Sequence, residues 1–293
     1  MENKKNKNYG AALAILAGVC WGIISIFVRR LNALSMDSFR IMTYRAWFSS
    51  LMLFIYMLIR DRSLLKIKLK DIWVFIGTGI LSLTFFSYCY LTNIIRSGAA
   101  IAVVMLYTSP IFVMIMSIIF FREKMTVKKG VALLMTFIGC ALVSGLVEAV
   151  TGGAAIDGGG LLLGLGAGFG YALYSLFAGF ALKRGYASLT ISFYTFLFSG
   201  ASLLFFVKPE KLIEGISSSS LPWIIGVSLV CTVIPYIAYT AGMKRIEVSK
   251  AAVIVTVEPL VGALLGILAY GEPAGILKIV GILLILASVV LLS

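Results

Sequence analysis

The fold is decided by a stretch that occurs twice, YTSPIFVMIMSIIFFREK at residues 107–124 and TVEPLVGALLGILAYGEP at residues 256–273. Each copy has a proline near its start, an uncharged apolar run after it and a glutamate beyond that run. The prolines are Pro110 and Pro259, and the glutamates are Glu123 and Glu272. Both pairs are separated by 149 residues, which indicates an internal duplication.

Further matches extend this duplication over most of the chain. They are Tyr90 with Tyr239 and Ala102 with Ala251 at a spacing of 149, and Gly10 with Gly160, Gly18 with Gly168, Ser25 with Ser175 and Trp21 with Tyr171 at a spacing of 150. Their order is preserved, so the sequence predicts two copies of one unit: residues 1–147 and residues 158–293. Residues 148–157, which are rich in glycine and lack Lys and Arg, are predicted to be an external linker.

The composition places the chain in a membrane. It is 61% hydrophobic and 13% charged, with a mean hydropathy of +1.06, whereas about 25% of residues are charged in soluble domains. Ten apolar segments are long enough to cross a hydrocarbon core of about 30 Å. They are predicted near 10–29, 39–59, 72–95, 98–121, 128–147, 158–182, 189–207, 221–243, 249–270 and 275–293. The predicted fold is an all-α integral membrane protein of ten transmembrane helices.

Each repeat contains five helices, and because five is odd the second repeat enters the membrane from the opposite side. The ten helices are therefore predicted to form two inverted five-helix repeats. Inverted repeats are typical of secondary transporters, whose substrate site lies near the membrane midplane between the repeats.

Positive charge predicts the orientation. Seventeen of the 25 lysines and arginines lie at the N-terminus or in the even-numbered loops, and eight lie in the odd-numbered loops. The positive-inside rule then places both termini in the cytoplasm of a multi-pass protein of the cell membrane. The net charge of +13 needs no nucleic-acid partner, because topology and attraction to anionic membrane lipids account for it.

Several chemistries are excluded by residue type. The chain has no histidine, and its four cysteines lie in apolar runs without CxxC spacing, so no metal site or catalytic triad is predicted. No Gly-Lys pair of a phosphate-binding loop occurs. We therefore predict no cofactor and no catalytic residue, and interpret the chain as a non-enzyme.

The paired stretches resemble the signature of EamA-type transporters in the drug/metabolite transporter superfamily. Arg45, in TYRAWF at residues 43–48, is similar to an arginine that often opens the second helix in that family. The resemblance implies a carrier of two inverted five-helix repeats around a central cavity, in which helices 1–4 and 6–9 surround the cavity while helices 5 and 10 are peripheral. Thr195 stands at the repeat position of Arg45, so a cationic anchor is expected in one half only.

Glu258 is the one carboxylate predicted well inside a span. A charge at that depth costs on the order of 3 kcal/mol, so it should face a cavity, pair or be protonated. Proton coupling is one interpretation, and a structural hydrogen bond beside the Pro259 break is the other. Helix breaks are also predicted at Pro110 and Pro235. Gly262 and Gly266 follow on the same face as Glu258 and predict close helix approach there.

Arg45 is the matching cation. By helix rise it lies about 9 Å inside one surface and Glu258 about 13 Å inside the other. In a core of about 30 Å this leaves about 8 Å between them in depth, too far to assume an ion pair. We predict either that Arg45 binds a substrate carboxylate or phosphate, or that its side chain reaches the headgroups.

Aromatic and small polar side chains share faces of the remaining cavity helices. The predicted substrate-binding residues, besides Arg45, are Trp21, Tyr90, Asn93, Tyr107, Tyr171, Tyr174, Ser175, Tyr236 and Tyr239. Apolar walls with a few hydroxyl and amide groups suit amino acids and similar metabolites. For any single tyrosine, packing or an interfacial belt is the alternative role.

The sequence therefore predicts a secondary active transporter that moves a small organic metabolite, an amino acid or a relative, by alternating access. Export is favoured by the family resemblance, and protons are the candidate coupling ion through Glu258. A passive facilitator and a carrier of lipids or lipid precursors are the alternatives, and a homodimer is left open.

Overall fold

The computed structural model describes residues 2–153 and 158–292. All regular secondary structure in these residues is helical, and its main segments are labelled α1 to α10. They are α1 (Lys5–Ala33), α2 (Ser38–Arg60), α3 (Leu69–Ser97), α4 (Ala99–Phe121), α5 (Val127–Val143), α6 (Gly158–Lys183), α7 (Ser188–Leu203), α8 (Leu221–Met243), α9 (Val248–Tyr270) and α10 (Ile276–Leu292). Of the predicted linker, residues 154–157 lie outside the described residues, and a short helix, Leu146–Thr151, covers most of the part before them.

Seven of these helices, α1 to α4, α6, α8 and α9, are long and apolar enough to cross a membrane. Of the other three, α7 and α10 are apolar but shorter, and α5 has 17 residues. The described chain is thus an all-helical membrane protein, with three helices near the lower length limit for a span.

Helix packing is the same when the first five helices are exchanged with the last five. Helix α1 packs against α8 and α9, and its counterpart α6 packs against α3 and α4. Three further pairs join counterparts directly: α2 with α7, α4 with α9, and α5 with α10. The helices that meet at the centre come from both halves of the chain.

Glycines allow α1 and α6 to approach their neighbours closely. A Cβ atom on Gly18 of α1 would lie 2.5 Å from the Val255 carbonyl oxygen of α9, and one on Gly168 of α6 would lie 2.9 Å from the Met105 carbonyl oxygen of α4. The prediction of close approach at Gly262 was misplaced, because a Cβ there would have its nearest neighbour at 3.8 Å. The glycine contact surface belongs to α1, which lies against the backbone of α9.

The breaks in the helices occur at matched positions. Helix α4 turns at Tyr107 and Thr108, and α9 turns at Val255 and Thr256, just before Pro110 and Pro259. A proline lacks an N–H and clashes with the carbonyl four residues earlier, so the break lies on its N-terminal side. Helices α3 and α8 each contain a π-helical segment, Gly77–Thr84 and Leu229–Val233, whose ends are 149 residues apart. Pro235 follows the second of these segments.

Candidate functional site

A cavity at the centre of the molecule is enclosed by α1, α3, α6 and α8. Six predicted residues line it: Trp21, Tyr171, Tyr174, Ser175, Tyr236 and Tyr239. Helix α3 adds Ser82, Leu83 and Phe86. The free volume is about 10 Å³, which is room for about one water molecule. An organic molecule can enter only if the surrounding helices move apart.

Aromatic rings form most of the wall. The Trp21 ring centre lies 5.2 Å from that of Tyr236 and 5.8 Å from that of Tyr239, and the Tyr236 contact is edge to face. Two ring hydroxyls bond within the protein: Tyr174 to Thr240 at 2.7 Å and Tyr239 to Ser175 at 2.8 Å. Electron-rich ring faces next to a cavity attract cationic groups.

Arg45 lines a second small cavity, which shares Leu83 and Tyr236 with the first. Its guanidinium is buried: Nε donates to Thr232 Oγ1 at 3.0 Å, and Nη2 donates to the Cys231 carbonyl at 3.3 Å. Both acceptors belong to the π-helical segment of α8. The side chain thus points into the protein, and no carboxylate of the described residues lies within ion-pair distance of it. Thr195, at the repeat position, is a buried hydroxyl bonded to Thr78 at 2.7 Å.

Glu258 lies on α9, next to the break before Pro259, and is partly buried. Its carboxyl group interacts with the hydroxyl of Tyr171, a residue of the cavity wall. Arg45 is within electrostatic range of Glu258, but the two do not form an ion pair in the described structure. Arg45 thus lies in the adjoining cavity and Glu258 next to Tyr171 of the aromatic wall, and the two do not pair.

Three predicted substrate-binding residues lie outside the cavity wall. Tyr90 stacks on Phe86 with ring centres 5.5 Å apart, one layer behind the wall. Tyr107 packs in an apolar cluster with Cys140 and is within electrostatic range of Glu258. Asn93 is fully buried between α3 and α6, and neither polar atom of its amide has a hydrogen-bond partner.

Sequence reasoning missed the contribution of the π-helical segments. Ser82 and Leu83 reach the cavity from the segment in α3, and Thr232 holds Arg45 from the segment in α8. A π-helix has no sequence signature, although it is frequent at functional sites. Among the described residues, no three His, Cys, Asp or Glu side chains group together in a way that could hold a metal ion.

Comparison with known proteins gives consistent results. The EamA-like transporter family matches residues 8–145 and again residues 158–293. The chain is 28% identical to an uncharacterized transporter of Archaeoglobus fulgidus, over 97% of this chain and 96% of the relative. It is 25% identical to the uncharacterized inner membrane transporter YicL of Salmonella typhimurium, over 97% and 95%, and 22% identical to the uncharacterized transporter YxxF of Bacillus subtilis, over 99% and 91%.

A solved crystal structure of a protein shares the fold. It matches with a TM-score of 0.78 over 96% of this chain and 95% of the other, at 16% sequence identity. Together with the family match, this confirms the resemblance that the paired proline and glutamate stretches suggested.

Proposed function

This chain belongs to the EamA-like transporter family, and from that membership we propose that it is a secondary carrier for a small zwitterionic metabolite, an amino acid or a close relative. The carrier works by alternating access in the cell membrane, with both termini in the cytoplasm and export as the direction. Ten helices cross the membrane as two inverted repeats of five.

One observation supports the substrate class: Arg45 lines the small cavity that adjoins the aromatic one, and Glu258 interacts with Tyr171 of the aromatic wall, but the two do not pair. The planar guanidinium of Arg45 suits a substrate carboxylate. Glu258 and the ring faces around Trp21 suit a substrate ammonium group. A molecule that carries both charges would pair with Arg45 and with Glu258, whereas a neutral solute would pair with neither.

The packing supports the inverted repeats. When the two halves are exchanged, the contacts of α1 with α8 and α9 correspond to the contacts of α6 with α3 and α4. Helices α5, α7 and α10 have 17, 16 and 17 residues, and about 17 residues is the lower limit for a spanning helix. A spanning role for these three helices is therefore part of the proposal.

The size of the cavity supports alternating access. At about 10 Å³ it is too small for an amino acid, so binding requires that one side of the helix arrangement opens. A passive pore would need a continuous path, and a lipid carrier would need a lateral opening wide enough for an acyl chain.

The proposal is tested by thermal unfolding of the purified protein with matched ligands. The set contains amino acids, and each is tested with its amide, which lacks the carboxylate, and with its hydroxy acid, which lacks the amine. A ligand that binds the folded state raises the melting temperature by mass action. We expect a rise with at least one zwitterion and none with either of its analogues. A rise with both analogues as large as with the zwitterion would contradict the proposed substrate class.

A further inference from the structure

Two glutamates, Glu123 and Glu272, stand at repeat-equivalent positions just beyond the ends of α4 and α9. Each follows a residue in the left-handed conformation and donates its N–H to the carbonyl six residues earlier, Ser117 at 3.2 Å and Gly266 at 3.0 Å. The left-handed residues are Arg122 and Gly271. The backbone therefore presents the two carboxylates in the same way.

Glu123 is bound to the start of α9. Its Oε1 accepts the Val248 N–H at 2.7 Å, and its Oε2 accepts the Ser249 N–H at 3.3 Å and the Ser249 hydroxyl. A carboxylate at the positive end of a helix is favourable, because it accepts N–H groups that have no partner within the helix. A neighbouring cavity of about 310 Å³ is walled by Glu123 and Val248. The contact fastens α4 to α9 on the side assigned to the cytoplasm.

Lys129 completes this contact from α5. Its ammonium lies 3.4 Å from Glu123 Oε2 and 3.2 Å from Glu247 Oε2, and it donates to the Lys124 carbonyl at 3.0 Å. The Lys129 side chain is 1% exposed, so its charge depends on these partners. We call Glu123, Lys129, Val248 and Ser249 the inner lock.

The outer side has the equivalent glutamate and lysine, but there the glutamate does not bind the start of a helix. Glu272 is 41% exposed, and its carboxylate pairs with Arg29 at 3.4 Å and with Lys278, the repeat match of Lys129, at 3.2 Å. The repeat matches of Val248 and Ser249 are Ala99 and Ala100, the first residues of α4. Within residues 2–153 and 158–292, no side chain accepts the N–H of Ala99 or Ala100, and Ala99 is exposed.

We propose that Glu123 and Glu272 are the two gating carboxylates of the carrier, which close opposite sides of the cavity in turn. Glu123 closes the inner side by binding the start of α9. When that contact breaks, Glu272 leaves Arg29 and binds the N–H groups of Ala99 and Ala100 at the start of α4, which closes the outer side. This change occurs if each repeat adopts the conformation that the other repeat has in this structure. The gating proposal rests on the alternating access proposed above.

The test measures distances between pairs of spin labels on both sides of the carrier, by double electron–electron resonance in liposomes. One labelled pair, at Lys124 and Lys244, reports the inner side, and a second pair, at Ile95 and Ala274, reports the outer side. All four positions are exposed, and the four buried native cysteines are replaced first. In the unmutated carrier we expect a predominantly short inner distance and a long outer distance.

Proline substitutions remove single N–H donors at the first position of a helix, where proline is well tolerated. We expect Val248→Pro to break the inner lock and to increase, several-fold, the population with a long inner and a short outer distance. Glu123→Gln should act in the same direction and serves where Val248→Pro does not fold. Adding Ala99→Pro or Glu272→Gln to either variant should remove the short outer distance, whereas Ala99→Pro alone should leave the inner distance short.

Two results would overturn the gating roles. One is an unchanged inner distance in both Val248→Pro and Glu123→Gln. The other is a short outer distance that persists when Ala99→Pro or Glu272→Gln is added. Inner and outer distances that never change in opposite directions, in any variant or with any ligand, would contradict alternating access itself and with it the gating proposal.

Discussion

Arg45 is the residue on which the substrate assignment depends. Its guanidinium is buried, and its hydrogen-bond acceptors are a hydroxyl and a carbonyl of α8 and a thioether of its own helix. Those neutral acceptors satisfy hydrogen bonds without neutralising the charge. A substrate carboxylate would supply the missing anion.

We expect Arg45→Gln to weaken binding of a zwitterionic ligand about 10- to 100-fold, since hydrogen bonds to charged groups contribute about 1.5–3 kcal/mol. The affinity of Arg45→Lys should lie between those of Arg45→Gln and the unmutated protein, because lysine keeps the charge but lacks the planar guanidinium. Isothermal titration of the purified variants measures this, with exposed Arg30→Gln as the matched control. Equal affinity in Arg45→Gln and in the unmutated protein would contradict the role.

Glu258 is the residue that would carry the proton if transport is proton-coupled, as the sequence predicts. We expect Glu258→Gln to exchange substrate across a proteoliposome membrane but to lose accumulation driven by a pH gradient, because an amide cannot carry the proton. Uptake with and without the gradient measures the difference. Glu148→Gln, at an exposed site, is the control and should accumulate substrate normally. Uphill uptake by Glu258→Gln at the normal rate would show that this carboxylate is not the coupling group.

For single residues, the sequence predicts which types of side chain line the cavity better than it predicts which residues contact one another. Trp21, Tyr171 and Tyr236 meet at one cavity because each lies on the inward face of its helix, and a helical period can be read from sequence. Asn93 shares a face of α3 with Phe86, which lines the cavity, yet Asn93 lies beside Gly164 of α6, outside the cavity wall. Asn93 is seven residues, or about 10 Å, beyond Phe86 along the same regular helix, so a shared helix face does not bring both residues to one cavity.

At the scale of elements, the contact of α1 with α9 depends on missing side chains. We expect Gly18→Ala to lower the melting temperature, because the added methyl group would meet the Val255 carbonyl oxygen at 2.5 Å and overpacking costs about 1–3 kcal/mol. Gly262→Ala is the control: its methyl group would find its nearest neighbour at 3.8 Å, so it should leave the melting temperature unchanged or raise it slightly. Equal melting temperatures for the two variants would argue against this packing.

The start of α2 supplies a pH-dependent prediction. Asp37 accepts the Arg40 N–H at 3.0 Å and pairs with Arg40 Nε at 2.6 Å. Partial burial raises the pKa of the Asp37 carboxyl, but these contacts with Arg40 outweigh it and leave the pKa below its ordinary value. The charged form therefore stabilises the folded state above the ordinary pKa of about 3.9, and this stabilisation is lost as the pH falls through the folded pKa.

We accordingly expect Asp37→Ala to destabilise the protein by about 0.5–2 kcal/mol at neutral pH and by less at pH 3. Thr126 caps α5 through a neutral hydroxyl, which accepts the Lys129 N–H at 3.3 Å. The effect of Thr126→Ala should therefore be the same at both pH values. Melting temperatures of both variants across this range measure the difference, and a constant effect of Asp37→Ala would contradict the assignment.

Helix positions were predictable because apolar runs end at charged residues and glycines. Helix α4 begins after Gly98, whose φ of +84° suits glycine, and α2 ends at Arg60. Helix ends were less predictable where the apolar run continues: α7 ends at Leu203, although Leu204, Phe205 and Phe206 extend the run. The exchange symmetry of the packing follows from the duplication, which the matched prolines and glutamates had indicated.

At the scale of the whole molecule, two halves of related sequence carry different side chains at matched positions. The first half contains Arg45 and Glu123, which binds the start of a helix. The second half contains Glu258 and Glu272, which pairs with Arg29 and Lys278 and does not bind a helix start. The differences between the halves, at Arg45 and Thr195 and at Ser109 and Glu258, put one arginine in the adjoining cavity and one glutamate next to the wall residue Tyr171. Duplication accounts for the framework, and these substitutions account for the proposed selectivity.

The central claim is that this protein is a carrier with one alternating-access site for a zwitterion. Trans-stimulation of efflux from proteoliposomes tests this claim most directly. Vesicles are loaded with a labelled zwitterion that raises the melting temperature, and its efflux is timed with and without the unlabelled ligand outside. We predict that the external ligand accelerates efflux in the unmutated carrier, and that the acceleration is lost in Arg45→Gln. Efflux that is rapid but indifferent to the external ligand, or accelerated equally in Arg45→Gln, would contradict the account.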